Sequence, residues 1–186
     1  MYLGRVMAPV AHYSFEGRRP VVHPDAVVST ESTLIGDVTL HAGASVWPGT
    51  VVRGDANEAV SIGENTHVED LCMVHVAEIG ERTLVGHSVV LDASIVGDRC
   101  LVGSGTVLNN NVEIGDRTIV AAGSVVPDGR TVPAESFVRG VPAEVVPLEA
   151  SSVDHETVFE LYSTEVYDDL TARYDDLFES GDEIAV

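Results

Sequence analysis

Aliphatic side chains recur along this chain at every sixth position. Val22, Val28, Leu34, Leu40, Val46 and Val52 follow one another without a break. Four residues after each stands a small or β-branched one: Ala26, Ser32, Val38, Ala44, Thr50 and Ala56. The register slips across Gly54 to Ser61 and resumes at Ile62, Val68 and Val74. It moves by one at Ile79, Val85 and Leu91, and again at Val96, Val102, Leu108, Ile114, Val120 and Val126. Eighteen aliphatic residues at this period do not fit an amphipathic helix, whose period is 3.6, or the alternation of a hairpin sheet. A six-residue unit cannot bury its own side chain, so stacked coils must bury the column together, as in a solenoid. Three units closing one triangular coil predict six coils. Gly36, Gly63, Gly80, Gly86, Gly97, Gly103 and Gly115 suit tight corners between short strands.

From about Pro147 the period changes. Phe159, Tyr162, Val166, Leu170, Tyr174 and Leu177 form a helical stripe, expected to pack on the solenoid or on a neighbouring subunit. The expected organisation is therefore an irregular segment over 1–20, an all-β parallel solenoid over 21–148, and an acidic α-helix and tail over 149–186.

The repeat acts as a coordinate system. Rungs starting at Leu34, Val52, Val74, Leu91, Leu108 and Val126 should stack on one face. Arg53, His75 and Asp92, each one residue further on, then share an outward column at a strand spacing of about 4.8 Å. A second face carries Glu69, with Asp70 and His87 in the next column. His75 and His87 thus lie on different faces, too far apart to share a metal ion within one subunit. A threefold assembly sets one subunit's face against its neighbour's other face, which predicts a site between subunits.

Hexapeptide repeats of this kind resemble the left-handed β-helix family. A more specific resemblance rests on Val51-Val52-Arg53-Gly54-Asp55, then Ile62-Gly63-Glu64-Asn65-Thr66-His67-Val68-Glu69-Asp70, then His75, Val85-Gly86-His87 and Gly97-Asp98. These stretches are similar to the signature of the gamma-class carbonic anhydrases, and the likeness covers roughly residues 20–148. It implies a homotrimer that hydrates carbon dioxide reversibly to bicarbonate, with zinc (or iron or cobalt) held between subunits. It also implies metal ligands at His75, His87 and position 92, and catalytic or interface roles for Glu69, Arg53 and Asp55, the last two as an intersubunit ion pair. The chain departs from the pattern at three places. Asp92 stands where the family has its third histidine, Glu69 where it has a glutamine, and His67 where asparagine is usual. An anionic ligand and a nearby glutamate predict a less acidic bound water, hence weaker hydration at neutral pH or a different metal.

Charge narrows the partners. The net charge is −20, all ten basic residues are arginine, and residues 151–186 hold eleven acids against Arg173 alone. Such a surface repels nucleic acid and anionic membranes, and it points to a salt-rich cytoplasm, as in a halophile. No run of eighteen apolar residues exists, and Met1-Tyr2-Leu3-Gly4-Arg5 does not begin a signal peptide, so a cytoplasmic protein is expected. Cys72 and Cys100 fall at small inward positions and read as buried structural thiols. His12, His23, His41, His67 and His155 read as surface residues. Two other functions share this fold: coenzyme A-dependent acyl transfer, for which no lysine is available to bind phosphates, and a trimeric scaffold without catalysis.

Overall fold

The computed structural model describes residues 11–55, 58–161 and 170. The chain winds as a left-handed parallel β-helix, visiting three sheets in strict rotation. The first sheet runs Ala11–Tyr13, Thr33–Gly36, Val51–Gly54, Met73–His75, Val90–Asp92, Val107–Leu108 and Val125–Val126. The second also has seven strands, and the third has eight. All neighbours pair in parallel, except that Ser136–Gly140 folds back on Ala143–Pro147 as an antiparallel hairpin that closes the third sheet.

The expected columns are present. Leu34 pairs with Val52, Val52 with Val74, Val74 with Leu91, Leu91 with Leu108 and Leu108 with Val126, all fully buried. The solenoid has about seven turns rather than six, because rungs exist that the aliphatic count omits. His12 pairs with Leu34 at the N-terminal end, inside the segment expected to be irregular. At the other end Val132 and Val138 continue the core.

The glycines act differently from the expectation. Of the seven, only Gly36 has a positive φ, 75°. The others are needed because neighbouring coils touch: a Cβ on Gly80 would lie 2.7 Å from the carbonyl carbon of Gly97. Many corners are instead turned by non-glycine residues with positive φ, among them Leu71, Val76, Arg82, Ala93 and Arg117.

The helix His155–Leu161 packs on the solenoid, near the corners at Arg99 and Arg117. Glu156 bridges both guanidiniums, at 3.2 and 2.8 Å, and Arg99 also lies over the Phe159 ring at 4.9 Å. Of the predicted stripe, Tyr162, Val166, Tyr174 and Leu177 lie outside the described residues. No described helix is long and apolar enough to cross a membrane.

Candidate functional site

His75 ends its strand and points out of the first sheet between its register partners Arg53 and Asp92. The chain leaves the sheet at once through Val76, φ 51°, and does the same after Asp92 through Ala93, φ 45°. A left-handed corner costs a non-glycine residue about 1–2 kcal/mol, and here it sets both side chains at the rim of the face. His75 Nδ1 is 2.8 Å from Asp92 Oδ1, and Nε2 is 3.1 Å from Asp55 Oδ1. Arg53 Nε lies 3.2 Å from Asp55 Oδ2 as an ion pair, and Asn110 Nδ2–H donates to Asp92 Oδ2 at 3.2 Å. A neutral imidazole has one N–H and can serve only one of the two carboxylates. Its other lone pair then faces an oxygen, and a cation between them, proton or metal ion, removes the repulsion. Beside these groups Ile35, Val51, Met73 and Val90 line an apolar recess of about 320 Å³.

The third sheet carries the second group. His87, with its side chain 58% exposed, sets Nδ1 3.0 Å from Asp70 Oδ2 and 3.4 Å from Glu69 Oε2. Glu69, Asp70 and His87 are close enough together to hold a metal ion. Leu84, Leu101 and Ile119, with Val158 from the helix, line a recess of about 300 Å³ next to His87 and Glu69. A larger recess of about 490 Å³ lies elsewhere, between Glu135 and Asp154–Glu156.

Behind Glu69 is a buried chain of hydrogen bonds. Trp47 Nε1–H donates to Ser45 Oγ at 2.9 Å, and Ser45 Oγ lies 2.7 Å from His67 Nδ1. His67 is buried. Burial lowers its pKa to about 4.

Two surface assignments are corrected. His67 is 2% exposed because its outward column is covered, and His155 is 3% exposed because the helix presses it onto the solenoid. His155 Nε2–H donates to Arg99 O at 2.9 Å, and its ring stacks on Phe159. Cys72 and Cys100 are buried as expected, and burial pushes their thiols up to about 11 and about 12.

Within one chain, His75 meets Asp92, Asp55 and Arg53, whereas His87 stands on another face with Glu69 and Asp70. Arg53 and Asp55, expected to pair across a subunit boundary, already pair with each other. Asn110 is the participant that the sequence reading missed. It lies one coil beyond Asp92, where extending the register arithmetic to neighbouring corner residues points.

The chain is 34% identical over 169 residues to carnitine operon protein CaiE of Salmonella agona, covering 88% of this chain and 83% of that protein. The chain belongs to the CaiE family. CaiE of Escherichia coli K12 is 32% identical over the same length. A family model described as the GMPPB C-terminal domain matches residues 34–139. Gamma carbonic anhydrase 1 of Arabidopsis thaliana mitochondria is 43% identical over 61 residues, which are 33% of this chain and 22% of that protein. Among solved structures, a hexapeptide transferase family protein of Anaplasma phagocytophilum superposes with a TM-score of 0.81 at 28% identity, covering 89% of this chain and 98% of that one. A putative acetyltransferase of Bacillus cereus gives 0.71 at 25%, with coverage of 90% and 98%. Members of the wider superfamily thus include enzymes of two kinds, carbonic anhydrases and acyltransferases, and this CaiE family chain carries a possible metal-binding group.

Proposed function

We propose that this CaiE family member is a metal-dependent lyase of the gamma carbonic anhydrase kind, hydrating carbon dioxide to bicarbonate at sites shared between the subunits of a homotrimer. One observation carries the reading. The chain displays two incomplete half-sites on adjacent faces of the same coils: His75 with Asp55, Arg53 and Asp92, and His87 with Glu69 and Asp70. Threefold packing brings the first half-site of one subunit to the second half-site of the next.

The donors fit a borderline ion such as zinc, or iron or cobalt: imidazole nitrogen from His75 and His87, and oxygen from a neighbouring carboxylate. The contact between His75 Nε2 and Asp55 is satisfied by either a proton or a metal ion between them. Bound there, the ion supplies the Lewis acidity that makes water a nucleophile near neutral pH. The chain's own residues do the rest. Glu69, 5% exposed, is an acceptor for the proton the reacting water loses. Arg53 holds Asp55 in place, and the apolar walls Val51, Met73 and Val90 suit an uncharged substrate. A cytoplasmic location and a salt-rich milieu belong to the same reading, on the net charge of −20.

Acyl transfer is the second reading, favoured by the likeness to the putative acetyltransferase and by the apolar recess beside His87. The test is metal content after purification without chelator, for wild type, His75→Ala and His87→Ala, with carbon dioxide hydration assayed in parallel. One ion per subunit in wild type, lost in both variants together with hydration, supports the lyase. Metal-free wild type after zinc addition removes it, and calorimetric binding of acetyl-coenzyme A would then establish acyl transfer.

A further inference from the structure

We infer that Asp92 is a positioning residue that orients His75, and that the carboxylate on the metal side of the His75 ring is Asp55. The inference rests on the interface reading above and settles which of this chain's acids does what within it. Asp92, the residue at the family's third histidine position, is the first candidate for the oxygen ligand. Its geometry is that of a hydrogen-bond acceptor instead. Asp92 Oδ1 lies 2.8 Å from His75 Nδ1, within the range of about 2.7–2.9 Å for charge-assisted N–H···O bonds. Its other oxygen accepts from Asn110 at 3.2 Å.

Nδ1 and Nε2 leave the imidazole on different sides. A carboxylate bonded in line with Nδ1 cannot also reach an ion that sits about 2.0–2.1 Å beyond Nε2. The group on that second side is Asp55, with Oδ1 3.1 Å from Nε2. Two ligand atoms about 2.1 Å from one tetrahedral ion stand roughly 3.4 Å apart. Both contacts are hydrogen bonds, but the Asp55 one, at 3.1 Å, is the longer and needs less opening to admit an ion than the Asp92 one at 2.8 Å. Arg53 leaves this possible, because it takes the other oxygen of Asp55, at 3.2 Å. Asp92 then supplies the outer carboxylate of a carboxylate–histidine–metal arrangement, fixing the hydrogen on Nδ1 and baring Nε2.

The test is a Co²⁺ titration of chelator-stripped protein, followed by visible absorption, on wild type, Asp92→Asn, Asp92→Ala, Asp55→Asn and His75→Ala. Asparagine at 92 still accepts from Nδ1–H through its amide oxygen, so Asp92→Asn should keep the wild-type band and bind Co²⁺ within about tenfold of it. Asp92→Ala should keep the band and weaken binding about 10–100-fold, the usual cost of losing an outer partner. Asp55→Asn should move the band and weaken binding by more than that. A shifted or abolished band in Asp92→Asn makes Asp92 a ligand and overturns the inference; that variant decides the matter even if Asp55→Asn does not fold. Wild type that binds no Co²⁺, or His75→Ala that binds it as tightly as wild type, overturns the interface reading itself and the inference with it.

Discussion

His67 connects a single side chain to the behaviour of the fold. Its ring is bonded to Ser45 and closed off from solvent, so charging it places an imidazolium inside the protein away from water. Its pKa falls from 6.5 when unfolded to about 4 when folded. Between these values the unfolded chain binds the extra proton, so this contribution is complete above pH 6.5 and is lost as the pH falls towards 4. Each unit within that window should cost about 1.4 kcal/mol. Denaturant unfolding at pH 7.0, 6.0 and 5.0 should show this slope for wild type, and the difference from His67→Asn should isolate it from the carboxylates. Equal slopes in the two proteins would show that the ring already carries its charge in the folded state.

At the level of the coils, the interior is set by how closely one strand layer lies on the next. Gly80 illustrates the constraint: its φ is ordinary, yet a Cβ there would press on the backbone of Gly97 and Asp98. Gly80→Ala should cost about 1–3 kcal/mol as overpacking. Gly105, φ 71° with open space around it, should cost only the left-handed penalty of about 1–2 kcal/mol when changed to alanine. Comparing urea midpoints of the two variants tests whether contact or torsion dominates at each corner. The same closeness explains what the sequence could tell. Six residues per rung and three rungs per coil are distances along the chain, so the stacking of Arg53, His75 and Asp92 could be counted out beforehand. The strand at Ala11–Tyr13 could not, because His12 interrupts the aliphatic series. Neither could the burial of His155, which depends on where its own helix comes to rest on coils distant in sequence, nor the choice of Asp92 for Nδ1, which is a matter of side-chain torsion.

For the molecule as a whole, the dominant long-range term is its charge of −20. Repulsion among so many carboxylates opposes the compact state, and salt shortens its reach from about 10 Å at 0.1 M to about 3 Å at 1 M. The melting temperature should therefore rise between these KCl concentrations, and the gain should shrink in a variant with several of its exposed acids replaced by glutamine. A melting temperature that falls with KCl would mean that the surface ion pairs, such as Arg18–Asp37, outweigh the repulsion.

The two unlike half-sites borne by each chain have a consequence for gene dosage. In the proposed trimer every centre draws on two chains, so a protomer lacking both His75 and His87 spoils the centres on either side of it. Co-expressed with an equal amount of normal protein, it should leave about a quarter of full activity rather than half, because both contributors to a centre must be intact. An allele of that sort would be dominant, although the polypeptide it encodes folds and assembles normally.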